Sequence, residues 1–449
     1  MIGFSFDDRI GYFPTDWNLK QLKDSGDFVS GSTPSSTNEN YWGGDITWLV
    51  PSDLTALSGS TNYIYDSESK ITIDGFNSCS TNMLPAGSLC LSSRATIGEA
   101  VIAGVELCTN QGFINIVPNE EHYALYLLYW VKNNKQYISR YAAGTTFLEI
   151  GRRTFKNLKI ALPKELPEQK AIAGTLSKVD EAIEAVENSI KAAERLKKSL
   201  MQNLLTGKLK PDGAWRSEDE MLMTKYGYAP KDWKYCQIKD LIKEGYIEGV
   251  QDGNHGESHP VAAEFVNEGI PFVMASDISN GFIDVDNCKK LTRERADKLR
   301  IGFAKNGDVL LSHKASVGYT CIVNEAEPYV MLTPQVTYYR VAPDKLIPQY
   351  LKLFFQTYPF QCIMEGLAKQ STRNYIGITN QKKMWIYLPD NTDEQHEVVA
   401  EVIQVDDQVL NKKLKIQSLK KLKKSLMQHL LTGKVRVDVE KINKLLEEV

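Results

Sequence analysis

From Ile172 onward apolar side chains recur at Leu176, Val179, Ile183, Val186 and Ile190, and from Val398 onward the same steps give Val402, Val405, Val409, Lys412 and Ile416. Alternating steps of four and three form a heptad seam and predict two long helices. Counted from Glu168 to Leu205 at 1.5 Å per residue, the first is roughly 57 Å long. Thr-Gly at 206–207 and again at 432–433 supplies the helix stop. Such a seam must meet a partner, and the nearest is the other copy, paired antiparallel as a coiled coil with the globular parts at its two ends and approximate two-fold symmetry. The single Lys412, where the copy has Val186, either fixes the register or snorkels its stem at a fraying stretch.

Elsewhere the rhythm is shorter. Ile71-Thr-Ile, Leu89-Cys-Leu, Ala100-Val-Ile-Ala, Phe113-Ile-Asn-Ile-Val and Val309-Leu-Leu are β-rich runs broken by Gly, Asn or Pro, and they predict strands. Residues 121–136 and 346–366 carry Leu, Tyr and Phe at mixed three and four spacing and predict helices packed on the sheet. The fold class is α+β: two domains of mixed α/β structure and two long helices.

Self-similarity organises these elements. Residues 162–210 align with 388–436 at a constant shift of 226 without a gap. Leu196 to Lys208 against Leu422 to Lys434 is identical at twelve of thirteen positions. Gly11-Tyr-Phe-Pro-Thr-Asp-Trp17 is matched by Gly227-Tyr-Ala-Pro-Lys-Asp-Trp233, so each copy runs globular part first and helix second. Within the globular parts the echo is looser but keeps its order. Ser52-Asp53 corresponds to Ser276-Asp277, Gly87 to Gly98 corresponds to Gly307 to Gly318, and Gln111 faces Gln335. One framework carrying different side chains fits two readers of different targets; divergence of two structural domains gives the same picture.

Composition narrows the class. A chain of 449 residues implies two to four domains, and 42% hydrophobic with 24% charged residues is the balance of a globular protein. No run approaches the ~18 apolar residues of a membrane span, and the start lacks the basic and apolar regions of an export signal. Seven cysteines, odd in number and never closer than eleven positions, predict free thiols in a reducing cytoplasm. A net charge of −3 means that any DNA role rests on local patches or on partner subunits. Lys197, Lys198, Lys208 and Lys210, like Lys420, Lys421, Lys423, Lys424, Lys434 and Arg436, crowd one helix end. They form either a solvated face favoured by the helix dipole or a contact for phosphates or an acidic partner.

The order of domain, long helix, domain, long helix, with Leu-Pro-x-x-x-x-x-Gln-x-x-Ile where each helix begins and Leu-Leu-Thr-Gly-Lys where it ends, resembles the specificity subunit of type I restriction-modification enzymes. Val398 stands in the second motif where Ile172 stands in the first. Gly31-Ser-Thr-Pro-Ser and Tyr41-Trp-Gly-Gly-Asp-Ile46, then Asp252-Gly-Asn-His-Gly256 and Gly269-Ile-Pro-Phe272, look like that family's target-recognition domains. The expected division is a first target-recognition domain over 1–163, a long helix over 164–210 and a linker over 211–226. A second recognition domain over 227–389, a long helix over 390–436 and a tail helix over 437–449 complete it. The resemblance implies a non-catalytic chain whose domains each read half of a split DNA sequence while the helices set the gap and dock two modification subunits. It places S-adenosylmethionine, ATP and magnesium, and any restriction subunits, on partner chains.

Chemistry of its own is not evident. The sequence has no Gly-x-x-x-x-Gly-Lys-Ser/Thr loop, no Asn-Pro-Pro-aromatic string, no Gly-x-Ser-x-Gly elbow and no Gly-x-Gly-x-x-Gly after a strand. His255 and His259 are separated by a stretch that Gly256 and Pro260 keep from being helical, so a zinc clip is not expected and a polar loop against DNA is the better use. Candidate DNA contacts are polar and basic groups on predicted loops. Ser92, Arg94 and Thr96 in one turn match Ser312, Lys314 and Ser316 in the other, with Gln111, Gln335 and Asn254 nearby. Thr145 and Thr146 match Ser371, Thr372, Arg373 and Asn374 ahead of each long helix, and Arg152 and Arg153 follow. Arginine grips guanine bidentately, asparagine suits adenine, and lysine or serine suits phosphate. The competing reading is a duplicated coiled-coil scaffold that holds two protein partners without reading DNA.

Overall fold

Both heptad segments are single helices, Leu166–Leu204 and Thr392–Leu430, in a computed structural model. The structure describes residues 3–57, 59–144, 148–224, 227–255, 259–279, 281–324, 326, 328–369 and 375–447. Two compact units divide the chain, one formed by 1–190 with 412–449 and the other by 191–411, so each long helix begins in one unit and ends in the other.

In the first unit the helices run antiparallel. Glu168 meets Arg436 at 2.8 Å, Asp180 meets Lys423 at 2.5 Å and Glu187 meets Lys420 at 3.5 Å, partner numbers falling as the helix advances. Ile172, Leu176 and Ile183 are buried on the seam, as are Met427, Leu430 and Leu431. The second unit repeats the arrangement, with Lys197 at 2.6 Å from Asp406 and with Val398, Val402, Val405 and Val409 buried. Lys412 is half-buried on its seam.

The repeated motifs mark where helix meets domain. Gln169, fully buried, donates from Nε2 to the carbonyls of Glu121 (3.0 Å) and Pro163 (3.2 Å) and accepts the Tyr123 amide (3.0 Å). Gln395 does the same for Lys345 (3.0 Å), Pro389 (2.9 Å) and the Ile347 amide (3.0 Å). One side chain at each helix start therefore satisfies three backbone groups that burial would otherwise orphan. At the helix ends Gly207 and Gly433 both adopt φ +67°, and a Cβ there would lie 2.1 Å from Pro230 and 2.2 Å from Pro14. Only glycine gives both the left-handed turn and the close approach. Two non-equivalent arginines then close the same joint. Arg436 binds Asp16 and Glu168, and Arg216 binds Asp232 (3.3 Å) and Glu394 (3.1 Å).

Each domain is built on sheets packed under helices. In the first unit five strands run in the order Gly26–Ser30, Phe113–Pro118, Leu89–Ser92, Ala100–Ala103 and Tyr63–Ile64, the last pairing parallel and the others antiparallel. Helix Ala124–Asn133 covers this sheet, burying residues Leu125 through Val131. The second unit has the antiparallel order Ile247–Asp252, Val336–Val341, Val309–Ser312 and Thr320–Ile322, covered by Pro348–Phe355. A second, mixed five-stranded sheet holds Ile270–Val273 between Lys289–Leu291 and Val330–Leu332.

Departures from the expected elements have local causes. Strand Lys70–Ile71 stops where the Thr72 hydroxyl accepts the Gly75 amide and caps a short helix, Ile73–Asn77. The expected helix over 121–136 is broken at Asn134, whose side chain donates to the Trp130 carbonyl; that over 346–366 resolves into Pro348–Phe355 and Tyr358–Lys369. Within 211–226, Met221–Thr224 forms a strand paired with Gly227–Pro230, as Phe4–Asp7 pairs with Gly11–Pro14. The tail carries a helix at Val439–Glu447, and all seven cysteines are free thiols.

Candidate nucleic-acid interface

Two equivalent turns carry the first set of candidates. Strand Leu89–Ser92 ends in a turn whose Ala95 sits at φ +60°, and Val309–Ser312 ends in one whose Ala315 sits at φ +65°. Among the described residues these are the two non-glycine positions with positive φ, a conformation that costs roughly 1–2 kcal/mol for an L-residue. The serines that precede them build the turns rather than face solvent. Ser92 is fully buried and donates to the Arg94 carbonyl at 2.8 Å, with Thr96 donating to Ser92 at 3.3 Å. Ser312, equally buried, accepts the Tyr319 amide at 2.8 Å; Ser316 is half-buried. The turns also carry the pair Arg94 and Lys314, both half-buried. Arg94 is bridged through its backbone to Glu149, and Lys314 to Tyr375, whose ring lies 5.9 Å beneath the ammonium.

Other candidates gather nearby. Gln111 is exposed and accepts from the Thr33 hydroxyl, while Gln335 accepts the Ala275 amide at 3.2 Å. Arg152 is exposed and donates to Ser30 at 2.7 Å, with Arg153 exposed beside it on the same short helix. His255 is half-exposed and held by Asp252 at 2.9 Å. Asn254 is different in kind. It is 2% exposed, its amide donates to the Ile301 carbonyl and its oxygen accepts the Arg300 amide, so it ties its own loop to the one at 300–301. Thr145, Thr146, Ser371, Thr372, Arg373 and Asn374 lie outside the described residues.

The chain matches the family described as the type I restriction modification DNA specificity domain over residues 14–195 and 230–421. The protein belongs to that family. Similar specificity subunits include MjaIX of Methanocaldococcus jannaschii, 28% identical over 450 residues and covering 96% of both chains, and MjaVIII of the same organism, 21% identical with 94% of both covered. Its fold is similar to the S subunit from M. genitalium, with a TM-score of 0.52, 13% identity, and 95% and 97% of the two chains covered. A chain from a structure of type I R-M complex assembly and conformational transition aligns with a TM-score of 0.58, 17% identity and coverages of 94% and 99%. The protein is thus a non-catalytic specificity subunit with two recognition-type domains. Among its described residues no group of three or more His, Cys, Asp or Glu could hold a metal ion, and no helix is long and apolar enough to cross a membrane.

Several residues of this specificity subunit were not expected from sequence. His313, next to Lys314, is fully buried with neither ring nitrogen bonded, and burial drives its pKa down to about 4 despite the opposing pull of Asp252. The equivalent Ser93 instead donates to Gly112 at 3.1 Å. Lys132, under the first sheet, is lowered to about 8 by burial and by the Lys423 ammonium, and it donates to Thr61 and Asn62. The contrast of histidine and serine at matched positions was the one visible signal for the first; nothing in the local sequence marks the second.

Proposed function

We propose that each globular domain reads one half of a bipartite DNA sequence, that the paired helices set the gap, and that two modification subunits dock on the helical part, with restriction subunits completing the complex. The observation that carries this reading is the pair of left-handed turns that hold Arg94 and Lys314 at equivalent places in two otherwise different domains. Backbone strain retained at the same position in both domains is a feature of functional loops. Gln111, Gln335, His255, Arg152, Arg153, Thr96 and Ser316 supply further polar groups for base edges and phosphates, while Ser92, Ser312 and Asn254 hold the loops in shape. The domain limits that go with this reading are 1–163 and 227–389. S-adenosylmethionine, ATP and magnesium act on the partner chains, in the cytoplasm.

Joint purification with the modification subunits, followed by mapping of methylated positions in DNA and by gel shifts with random duplex pools, tests the proposal. A split recognition sequence bound only by the complex is expected. A complex that binds partners but selects no sequence would leave a duplicated protein scaffold instead.

A further inference from the structure

Below the Lys314 turn the second unit contains a cavity of about 560 Å³. Its walls are flat and apolar. The ring centroids of His259 and Phe272 are 5.5 Å apart, those of Phe265 and Phe272 are 6.0 Å apart, and Met274 lies beside them. Two lysines, Lys289 and Lys314, line it as well. Gln335 contributes a carboxamide whose oxygen is taken by the Ala275 amide, and Thr333, 2% exposed, carries a hydroxyl with no partner. Ring faces, a few polar atoms and flanking cations are the groups that receive a single nucleobase and its neighbouring phosphates.

The matched position in the first domain carries a larger ring. Trp48 aligns with Phe272, is 5% exposed, packs edge-on against Trp42 at 5.0 Å and donates from its indole to the Ser32 carbonyl at 3.0 Å. That indole is held within the first domain's own packing, whereas the smaller Phe272 borders the cavity.

We propose that this cavity takes one base unstacked from the duplex within the half-site read by the second domain, with Lys289 and Lys314 on the adjoining phosphates. The proposal rests on the DNA-reading function above and adds an asymmetry to it: the second domain extracts a base and the first does not.

The experiment uses the full complex with modification subunits and a duplex carrying the mapped sequence, with an abasic site placed in turn opposite each base of both half-sites. Removing the partner of an extracted base removes the cost of breaking its pair, so binding tightens about tenfold or more there. One such position is expected in the second half-site, distinct from any methylated adenine, and none of that kind in the first. Met274→Trp, which fills the cavity, and Lys289→Ala, at an exposed position that leaves the fold alone, each abolish or reduce that gain while leaving the gain at methylated adenines unchanged. No such position, or a gain that survives both substitutions, overturns the proposal while the mapped half-sites still stand. Binding of free nucleoside monophosphates to the wild-type chain that is lost in Met274→Trp, with no abasic gain, also overturns it in favour of a free nucleotide ligand. A complex indifferent to sequence overturns this inference together with its parent reading.

Discussion

The Lys423 ammonium lies 2.5 Å from the Asp180 carboxylate, and the residues 226 positions away, Lys197 and Asp406, meet at 2.6 Å. The duplicated pair has two different energetic weights. Asp180 is 3% exposed and also accepts from Tyr129 (2.7 Å) and Asn62 (3.1 Å), whereas Asp406 is 44% exposed. Lys423→Met strands a buried carboxylate and is expected to cost about 3–5 kcal/mol. Lys197→Met removes a solvated pair and is expected to cost less than about 1 kcal/mol. Hydrogen exchange on the full chain checks this, with protection lost in the first unit in one variant and nearly unchanged in the other; equal losses contradict the argument.

Gln169→Leu leaves the Tyr123 amide and two carbonyls without partners at the start of the first long helix. Unpaired buried groups cost about 1–3 kcal/mol each, softened by any water that enters. The expected outcome is a loss of about 2–4 kcal/mol in urea unfolding and faster exchange of the Tyr123 amide, with Gln395→Leu doing the same at Ile347. Unchanged exchange at both amides would show that the glutamines are not their partners in solution.

His313 sets a pH dependence confined to the second unit. Its folded pKa of about 4 lies below the ordinary 6.5, burial being the main cause, with Lys314 and His255 adding repulsion and Asp252 opposing it. On acidification the unfolded chain takes up the proton first. The contribution is fully present above pH 6.5 and is lost as pH falls towards 4, amounting to about 3 kcal/mol at the end of that window. His313→Leu removes this part of the acid sensitivity. On acidification from pH 7.5 to 4 the unfolding midpoint of the variant should rise relative to that of wild type, whichever is the higher at pH 7.5; parallel curves would exclude the effect.

Ala95→Gly and Ala315→Gly exchange left-handed strain for added unfolded-state freedom, two terms of about 1 kcal/mol that nearly cancel. Stability is expected to stay within about 0.5 kcal/mol, while Ala315→Val, β-branched at positive φ, costs more than about 1 kcal/mol. Thermal unfolding distinguishes the pair, and a cost for glycine comparable to that for valine would contradict the turn geometry.

The parts legible in the sequence are those where one side chain has one physical role. The heptads gave the long helices because a seam repeats, and Gln169, Gly207 and Trp17 were visible because their partners at the joint are duplicated with them. The loops were harder. Serines in a turn look like exposed hydrogen-bonding groups, yet Ser92 and Ser312 are buried and bonded within their own turns, each of which carries a left-handed alanine. Alanine is not a residue for which the sequence predicts that conformation, which glycine and asparagine favour. The cavity beside Phe272 was equally hidden, because its walls come from segments distant in sequence and its contrast with Trp48 lies in packing.

The helices offer the sharpest test of the proposed ruler. Residues 184–190 and 410–416 are matched heptads lying between the two Lys–Asp contacts, so deleting both keeps the seam in phase and spares those contacts. Each helix then shortens by roughly 10 Å, close to three base pairs of duplex. The methylated half-sites are expected to stay the same while the preferred gap shortens by about three base pairs, read by sequencing methylated DNA from cells that carry the deletion with the modification subunits. A rotation of about a third of a duplex turn accompanies that change, so methylation weakens as well. A gap left unchanged, or half-sites that change with it, would show that the helices do not set the spacing.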